Sequence, residues 1–220
     1  MQLNNKCLSE YDGILLDGYT VGGCEVDLNL LDVSMRTSLH ILRKHVGMKK
    51  LIVPIAFKGS NIEDASYKKS IFERDAFGKN ELVMDDGLLY WAALSNIGKS
   101  TYSGTKIIRT EYEFIGIRHG DYKKVIGNTI YCESTLPYTD CILSVTVSED
   151  ALSYKVGSVT FKNVVAGEVL TVDGMNGRIL VNGIPAAERA DWIEFPKLTP
   201  GINNLQCIDT LTVEFYPVYF

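Results

Sequence analysis

The chain has 220 residues, 46% of them hydrophobic and 22% charged, and a formal net charge of −5. Because no long basic run occurs, the charge argues against a dedicated nucleic-acid-binding surface. The longest apolar run, residues 51–57, is too short to cross a bilayer. The first 13 residues lack the apolar stretch of a signal peptide, so we expect a soluble protein without membrane insertion.

The first quarter of the chain contains three candidate strands. Residues 14–16 and Val26–Leu31 are short apolar-rich runs on either side of a glycine pair. The pattern over residues 34–45 fits a short helix or a loop, and we leave both open. Residues 48–58 alternate in the manner of a strand, with Leu51, Val53, Ile55 and Phe57 on one face. Because Pro54 has no N–H, this strand is predicted to be an edge strand or to carry a bulge.

One helix is well signalled after this strand. Ser60 and Glu63 have the spacing of a capping box, in which each side chain bonds the other residue's backbone N–H. Apolar residues then recur at helical spacing as far as Ala76, and Gly78 is a suitable residue beyond the end. Strands are predicted next over residues 81–84, 88–97 and 105–117, the last two pairing as a hairpin around a loop at 98–104.

The second half of the chain has many short predicted strands. Residues 118–127 are polar and bounded by glycines, which predicts a domain junction. Strands are then predicted over residues 128–132, 141–148, 152–156, 158–164, 170–173 and 178–181. The pairs Asn176-Gly177 and Asn182-Gly183 are strong turn signals. Such a density of short strands is typical of a β-sandwich or jelly roll.

The last predicted elements are two apolar runs. Trp192, Ile193 and Phe195 are expected to form a half-buried run, followed by a turn at Pro200-Gly201. Residues 205–219 are predicted to be one strand. We expect its apolar face, which includes Phe215, and also Phe195 to be buried between two sheets.

Five cysteines are present, at positions 7, 24, 132, 141 and 207. An odd number cannot pair completely, no C-x-x-C occurs and no histidine lies nearby, so the spacing argues against a zinc site. Free thiols suit a protein made in a reducing cytoplasm. A bridge between Cys132 and Cys141 across a hairpin is a minor alternative.

Short motifs that imitate catalytic or nucleotide-binding sites fail in their context. Residues 98–101 read GKST, yet the glycine that a phosphate-binding loop needs five positions earlier is Ala93, and a strand is predicted to follow. Ser66 and Lys69 match S-x-x-K, but no K-T-G accompanies them. We therefore predict no enzyme, and no catalytic, cofactor-binding or metal-binding residue.

Histidines and tryptophans are equally uninformative about chemistry. His40, His45 and His119 have no metal-ligand spacing, and surface or loop positions are expected for them. Trp91 lies in an apolar run and is predicted to be in the core. Trp192 could face either side, and an exposed indole there would suit a sugar ring.

The C-terminal sequences TVDGMNGRILVNG, DWIEFPKLTPGINNL and TVEFYPVYF, in this order, resemble the end of the distal tail protein family of long-tailed (siphovirus-type) bacteriophages and prophages. Upstream, the order of strand, capped helix and strand pair is similar to that family in pattern. The resemblance implies a mainly β fold with one or two short helices. It further implies an N-terminal ring-forming domain, residues 1–120, and a C-terminal galectin-like β-sandwich, residues 125–220.

The resemblance also implies a function. Members of the family are structural hubs of the tail tip: a hexameric ring joins the tail tube to the baseplate and the receptor-binding apparatus. The expected partners are further copies of the chain, the tail tube protein, a tail-associated tip protein and a receptor-binding protein. The expected location is the virion tail tip, after synthesis in the host bacterial cytoplasm. The alternative is a carbohydrate-binding β-sandwich module for host-surface attachment.

Overall fold

The computed structural model describes residues 1–16, 18–24, 26–31 and 40–220, with only the backbone described over 27–31 and 40–45. The chain is mainly β with a short α-helix, which confirms the predicted fold class. It divides into two compact units, Met1–His119 with Phe220, and Gly120–Tyr219. The assignment of a ring-forming domain to residues 1–120 and of a galectin-like domain to residues 125–220 stays a prediction.

The first unit is built around one large antiparallel sheet. Its elements are β1 (Gln2–Leu3), β2 (Lys6–Cys7), the 3-10 helix η1 (Leu8–Tyr11), β3 (Gly13–Leu15), β4 (Thr20–Val21), β5 (Val26–Leu31), β6 (His40–Val46), β7 (Lys49–Lys58), α1 (Ile62–Asp75), β8 (Lys79–Val83), β9 (Leu89–Ile97), β10 (Thr101–Ser103) and β11 (Ile107–His119). The strand order is β2-β1-β8-β9-β11-β7-β3, with β10 paired to β11 and β4 to β7. The predicted pairing of β9 with β11 is confirmed, but the predicted loop at 98–104 contains β10, which also pairs with β11. Strand β5 pairs with β6 in a separate two-stranded sheet. The part of residues 34–45 that is described, from His40 onward, is strand rather than helix or loop.

The prediction that the strand with Pro54 is an edge strand or bulged is wrong. Strand β7 pairs with β11 over its whole length on one side and with the short β3 and β4 on the other. The Pro54 carbonyl accepts from Leu16 N at 2.9 Å, so its ring nitrogen also faces the β3 side, because both groups of a strand residue point the same way. The N–H that Pro54 lacks would therefore point to the side of β3, beyond the last residue of that strand. The hydrogen bonds between β7 and β11 are not affected.

Helix α1 is present as predicted, but its cap lies one residue later. The Asn61 side chain accepts from Asp64 N at 2.9 Å, and the Asp64 carboxylate accepts from Ser60 N at 2.7 Å. Asn and Ser are about equally good cap residues. The sequence therefore could not distinguish a cap formed by Ser60 and Glu63 from one formed by Asn61 and Asp64. The helix buries Ala65 and Phe72 and ends at Ala76.

The core of the first unit is aromatic at its centre. Phe72 of α1 lies 5.1 Å from Tyr112 and 5.5 Å from both Phe57 and Tyr11, measured between ring centroids. The alternating side chains of β7 that the sequence placed on one face, Leu51, Val53, Ile55 and Phe57, are all fully buried. The helix and the sheet thus share one core, which confirms the alternation of β7.

The second unit consists of short strands around its own core. Its elements are β12 (Lys123–Ile126), β13 (Thr129–Cys132), β14 (Thr139–Thr146), β15 (Ala151–Val156), β16 (Val159–Val164), β17 (Val169–Asp173), β18 (Arg178–Val181), β19 (Ile184–Pro185), the 3-10 helix η2 (Ala187–Arg189), β20 (Ala190–Asp191), β21 (Lys197–Leu198), β22 (Gly201–Asn204), β23 (Thr212–Phe215) and β24 (Val218–Tyr219). One sheet has the order β12-β23-β14-β17-β18-β19 with β21 beside β14, while β13 pairs with β22 and the third sheet runs β15-β16-β20. Phe215, Leu143, Val172 and Phe161 are fully buried in one shared core.

Three predictions for this half need correction. Residues 192–196 are not strand; Ile193 is fully exposed and Phe195 half-buried. Residues 205–211 are irregular, and the long predicted strand is reduced to two shorter ones, Thr212–Phe215 and Val218–Tyr219. The segment 118–127 contains the end of β11 and all of β12, so it is partly regular structure and not only a polar connection. Strand β12 pairs with β23, which lies far away in sequence, so the local polar pattern could not indicate it.

The cysteines of this unit are not bridged. Cys132 and Cys141 are both buried and both free. Burial raises the pKa of the Cys141 thiol to about 12, so the thiol stays protonated and behaves as a small apolar side chain.

Candidate assembly and binding surfaces

The face of the first sheet that points away from α1 mixes apolar and charged side chains; we call it the outer sheet face. It carries Ile52, Pro54 and Ile115, with Ile115 exposed. Lys50 and Glu113 pair across β7 and β11 at 2.8 Å. Exposed apolar side chains rimmed by charges are typical of protein–protein contact surfaces.

A shallow depression of about 400 Å³ lies on this face beside Met48, Lys50, Ser95, Asn96, Glu113 and Ile115. Its only described cation and anion, Lys50 and Glu113, already bind each other. It contains no group poised for chemistry, so contact with another protein surface is the use that it suits.

The hairpin of β5 and β6 differs from every other strand pair of the first unit. Its register runs from Val26 opposite Val46 to Leu31 opposite His40, with an irregularity after Asn29. Within the described part of the chain, neither strand has a second strand neighbour. A two-stranded ribbon is marginally stable by itself, and open edges accept further strands.

The residues that imitate catalytic motifs lie in a hairpin connection and on helix α1. Gly98 N donates to Glu111 O at 2.8 Å, and Thr101 already belongs to β10, so GKST lies in a hairpin connection with no helix after it. Ser66 is exposed on α1, and Lys69 pairs with Glu73 at 2.5 Å. Neither motif therefore has the surroundings of the site that it imitates.

The histidines and tryptophans are placed partly against expectation. His119 is buried and stacks on Trp91, with ring centroids 4.1 Å apart and planes at 17°. Trp91 is half-buried on the outer sheet face rather than in the core, because its neighbour Tyr90 takes the inward position. His40 and His45 lie in β6, where only the backbone is described. Trp192 is exposed and lies 6.2 Å from Phe195 between ring centroids.

The second unit has a polar sheet face formed by strands β12, β23, β14 and β17. Ser144 and Thr171 share a hydrogen bond of 3.2 Å, and Lys124 pairs with Glu214 at 2.9 Å. These groups border a depression of about 480 Å³. Because its charged groups bind each other, little of this face remains unsatisfied.

A larger cleft of about 550 Å³ lies elsewhere in the second unit, where four separate segments meet; we call it the lysine cleft. It is lined by Tyr138, Lys155, Gly157, Ser158, Glu194, Phe195, Pro196, Lys197, Thr199, Asn204, Leu205 and Gln206. Two bonds fix its walls: Gly157 N donates to Gln206 O at 2.8 Å, and Ser158 Oγ donates to Glu194 O at 3.0 Å. The sequence did not indicate this cleft, since no two of its segments have a motif spacing.

The described residues contain neither a cluster of metal ligands nor a membrane-spanning helix. Among them, no group of three or more His, Cys, Asp or Glu side chains is arranged to hold a metal ion. No helix within them is long and apolar enough to cross a membrane.

Comparison with known proteins gives matches in structure alone. No protein-family model matches the chain, and no curated protein matches its sequence. The crystal structure of SPP1 Dit (gp 19.1), described as a paradigm of hub adsorption apparatus in Gram-positive-infecting phages, matches with a TM-score of 0.74 and 12% identity, over 100% of this chain and 98% of that one. A chain of the phage p2 baseplate in its activated conformation with Sr matches with a TM-score of 0.50 and 9% identity, over 93% and 90% of the two chains. The resemblance to distal tail proteins is thus confirmed in the fold: from end to end, this chain has the fold of a phage distal tail hub protein.

Proposed function

We propose that this chain is a structural hub of a phage tail tip, acting as a hexameric ring between the tail tube and the baseplate or tip. One observation carries the proposal: the match to SPP1 Dit spans both chains almost completely. A shared sandwich alone would say little about function, because folds host many functions. A match of two successive units in the same order is far more restrictive.

The local chemistry supports a structural role over an enzymatic one. Lys69 of the S-x-x-K match is paired with Glu73, GKST is not followed by a helix, and the buried Cys141 thiol is held protonated. The conspicuous surfaces of the first unit are an apolar, charge-rimmed sheet face and an open-edged hairpin. Both suit contact with other protein chains.

The hairpin of β5 and β6 is the proposed ring element. The long strands β7 and β11 are both interior to the sheet, so their edges are already paired. The hairpin has two open edges in the described chain, so a neighbouring copy can add a strand to it. Contacts of this kind are heterologous and close into a ring when the rotation between copies allows.

The proposed partners follow from this position in the tail. The ring would bind the tail tube protein on one side and a tail-associated tip protein on the other, with a receptor-binding protein attached at its periphery. The chain would be made in the host bacterial cytoplasm and would reside in the virion. It would bind no nucleic acid specifically, in keeping with a net charge of −5.

Antibody labelling tests the location directly. Particles from a lysate that contains this chain are incubated with gold-labelled antibody against the second unit and viewed by electron microscopy. Gold at the distal end of the tail supports the proposal. Gold along the tube, on the head or on no particle contradicts it.

A further inference from the structure

We propose that the lysine cleft binds an anionic saccharide, a sugar that carries carboxylate or phosphate groups. The inference goes beyond the hub role and does not rest on ring formation. It concerns a site within the second unit that is formed by this chain alone.

Unpaired positive charge is the first observation. Lys155 and Lys197 both line the cleft, and within the described ranges neither has a carboxylate within ion-pair distance. Seven other lysines of the chain do have such a partner: Lys6, Lys50, Lys68, Lys69, Lys123, Lys124 and Lys162. Both lysines are exposed, and Glu194 is the one acidic residue in the lining, so the cleft has a net positive charge that attracts an anion.

An exposed aromatic ring is the second observation. Tyr138 is 64% exposed at the edge of the cleft, and Lys197 Nζ lies 5.7 Å from its ring centroid. This contact holds the lysine beside the ring but leaves its charge unneutralised. A flat ring next to a cation suits a ligand with an apolar face and a negative group.

Neutral hydrogen-bonding groups complete the lining. Thr199, Asn204 and Gln206 border the cleft, while Phe195, Pro196 and Leu205 supply apolar surface. Asn204 Oδ1 accepts from Thr129 Oγ1 at 2.9 Å, which leaves its amide N–H groups for a ligand. Hydroxyl-rich ligands use such neutral donors and acceptors, whereas an acidic peptide would need mainly the two lysines.

The polar sheet face is the competing site, and its own contacts argue against it. Its lysine, Lys124, is neutralised by Glu214, and two of its hydroxyl groups bind each other. A ligand there would first have to break these contacts. The lysine cleft offers charge and polar groups without that cost.

Calorimetric titration of the full chain tests the proposal with matched ligand pairs. Trigalacturonate is compared with its fully methyl-esterified, uncharged form, and glucose 1-phosphate with glucose; the two pairs separate carboxylate from phosphate recognition. At least one charged ligand should bind more tightly than its neutral partner by about tenfold or more, the value of one charged hydrogen bond. The preference should shrink as salt is added.

Variants locate the site. Lys155→Gln and Lys197→Gln should each weaken binding of the charged ligand about tenfold. Tyr138→Ala should weaken binding of the charged ligand. Tyr138→Phe should bind it as tightly as the parental protein, because the ring remains. Lys99→Gln, an exposed lysine of the first unit, changes the net charge equally and should leave binding unchanged.

Four results would overturn the proposal. The first is that neither charged saccharide binds at millimolar concentration, and the second is that charged and neutral forms bind equally. The third is that binding is unchanged in both lysine variants. The fourth is that a tetraglutamate peptide binds more tightly and displaces the saccharide. The last result would mean that the cleft is a docking site for an acidic protein segment.

Discussion

Phe215 shows how a single side chain holds the second unit together. It is fully buried in the core of that unit, with its backbone between β12 and β14. Truncation of a buried phenylalanine to alanine costs about 3–5 kcal/mol, because apolar contacts are lost and a cavity remains. The total free energy of unfolding of a domain is only about 5–15 kcal/mol.

Phe215→Ala should therefore loosen or unfold the second unit while oligomers formed by the first unit persist. Limited proteolysis should cut within residues 128–220 and leave an oligomeric N-terminal core. Phe77→Ala removes a ring that is 87% exposed and should change stability by no more than about 0.5 kcal/mol. A Phe215→Ala protein that dissociates into monomers would show that the second unit helps to hold the assembly.

Asp75 makes the first unit sensitive to acid. Its carboxylate accepts from Lys6 Nζ at 2.8 Å, from Arg74 at 2.7 and 2.9 Å and from Tyr11 at 3.1 Å, which ties the chain's beginning to the end of α1. The bonds from Lys6 and then Arg74 lower the pKa of Asp75 to about 2 from its usual 3.8. A lowered pKa means that this stabilisation is complete above about pH 4 and is lost as the pH falls through about 2.

Asp75→Asn should flatten the pH dependence of stability between about pH 4 and pH 2, since the variant has no carboxylate to protonate. Urea unfolding at a series of pH values measures this effect. Asp191→Asn, an exposed carboxylate of the second unit, should leave the slope for the first unit unchanged. If the free energy of unfolding of Asp75→Asn falls with pH as steeply as that of the parental protein, other carboxylates cause the acid sensitivity.

At the scale of residues, sequence alternation predicted burial only where a regular strand carries it. Leu51, Val53 and Phe215 are buried as their spacing indicated. Phe195 and Trp91 are not, because the first lies in an irregular segment and the second faces outward beside the inward Tyr90. Periodicity fixes which side chains share a face, but other segments of the chain decide which face is covered.

Among the elements, helix α1 depends on a cap that the structure assigns to Asn61. Asn61→Ala should destabilise the first unit by about 0.5–2 kcal/mol, because Asp64 N loses its acceptor. Ser60→Ala should cost less, since the backbone N–H that binds Asp64 is retained. Thermal unfolding of both variants gives the comparison. A larger loss for Ser60→Ala would favour the capping box that the sequence first suggested.

The β5–β6 hairpin is the element that the ring proposal needs. Val26 lies opposite Val46, so a short Gly-Ser linker can replace residues 26–46 without displacing the flanking chain. This variant should stay monomeric and keep the parental melting temperature of the first unit, because the hairpin has no strand partner in the described sheet. Light scattering and thermal unfolding check the two parts. A ring that survives the deletion would place the interface elsewhere, with the outer sheet face next in line.

Most helices and strands could be predicted from the sequence, but the strands with which each of them pairs could not. Helix α1, the hairpin of β9 and β11, and the turns at Asn176-Gly177 and Asn182-Gly183 depend on local chemistry that is visible in the letters. The interior position of β7 follows from pairing with β3 and β4, more than 30 residues away in sequence. The lysine cleft is formed by four separate segments, so no local pattern contains it.

On the scale of the whole molecule, our central proposal is that six copies of this chain form a closed ring. The open-edged hairpin offers a contact surface for such a ring, and the match to SPP1 Dit shows that the fold is shared over both units. A fragment of residues 1–120 should form the same ring if the first unit contains the interface between copies. A monomeric fragment beside an oligomeric full chain would place part of the interface in the second unit.

The most direct measurement is the mass and shape of the purified full chain, by light scattering and negative-stain electron microscopy. Six copies of a 24.5 kDa chain give a particle of about 147 kDa, and class averages should show a closed ring with six repeats around a central opening. The measurement is repeated with the tail tube protein added, to cover a ring that forms only on the tube. Monomers in both conditions, or a closed assembly of another order, would contradict the account.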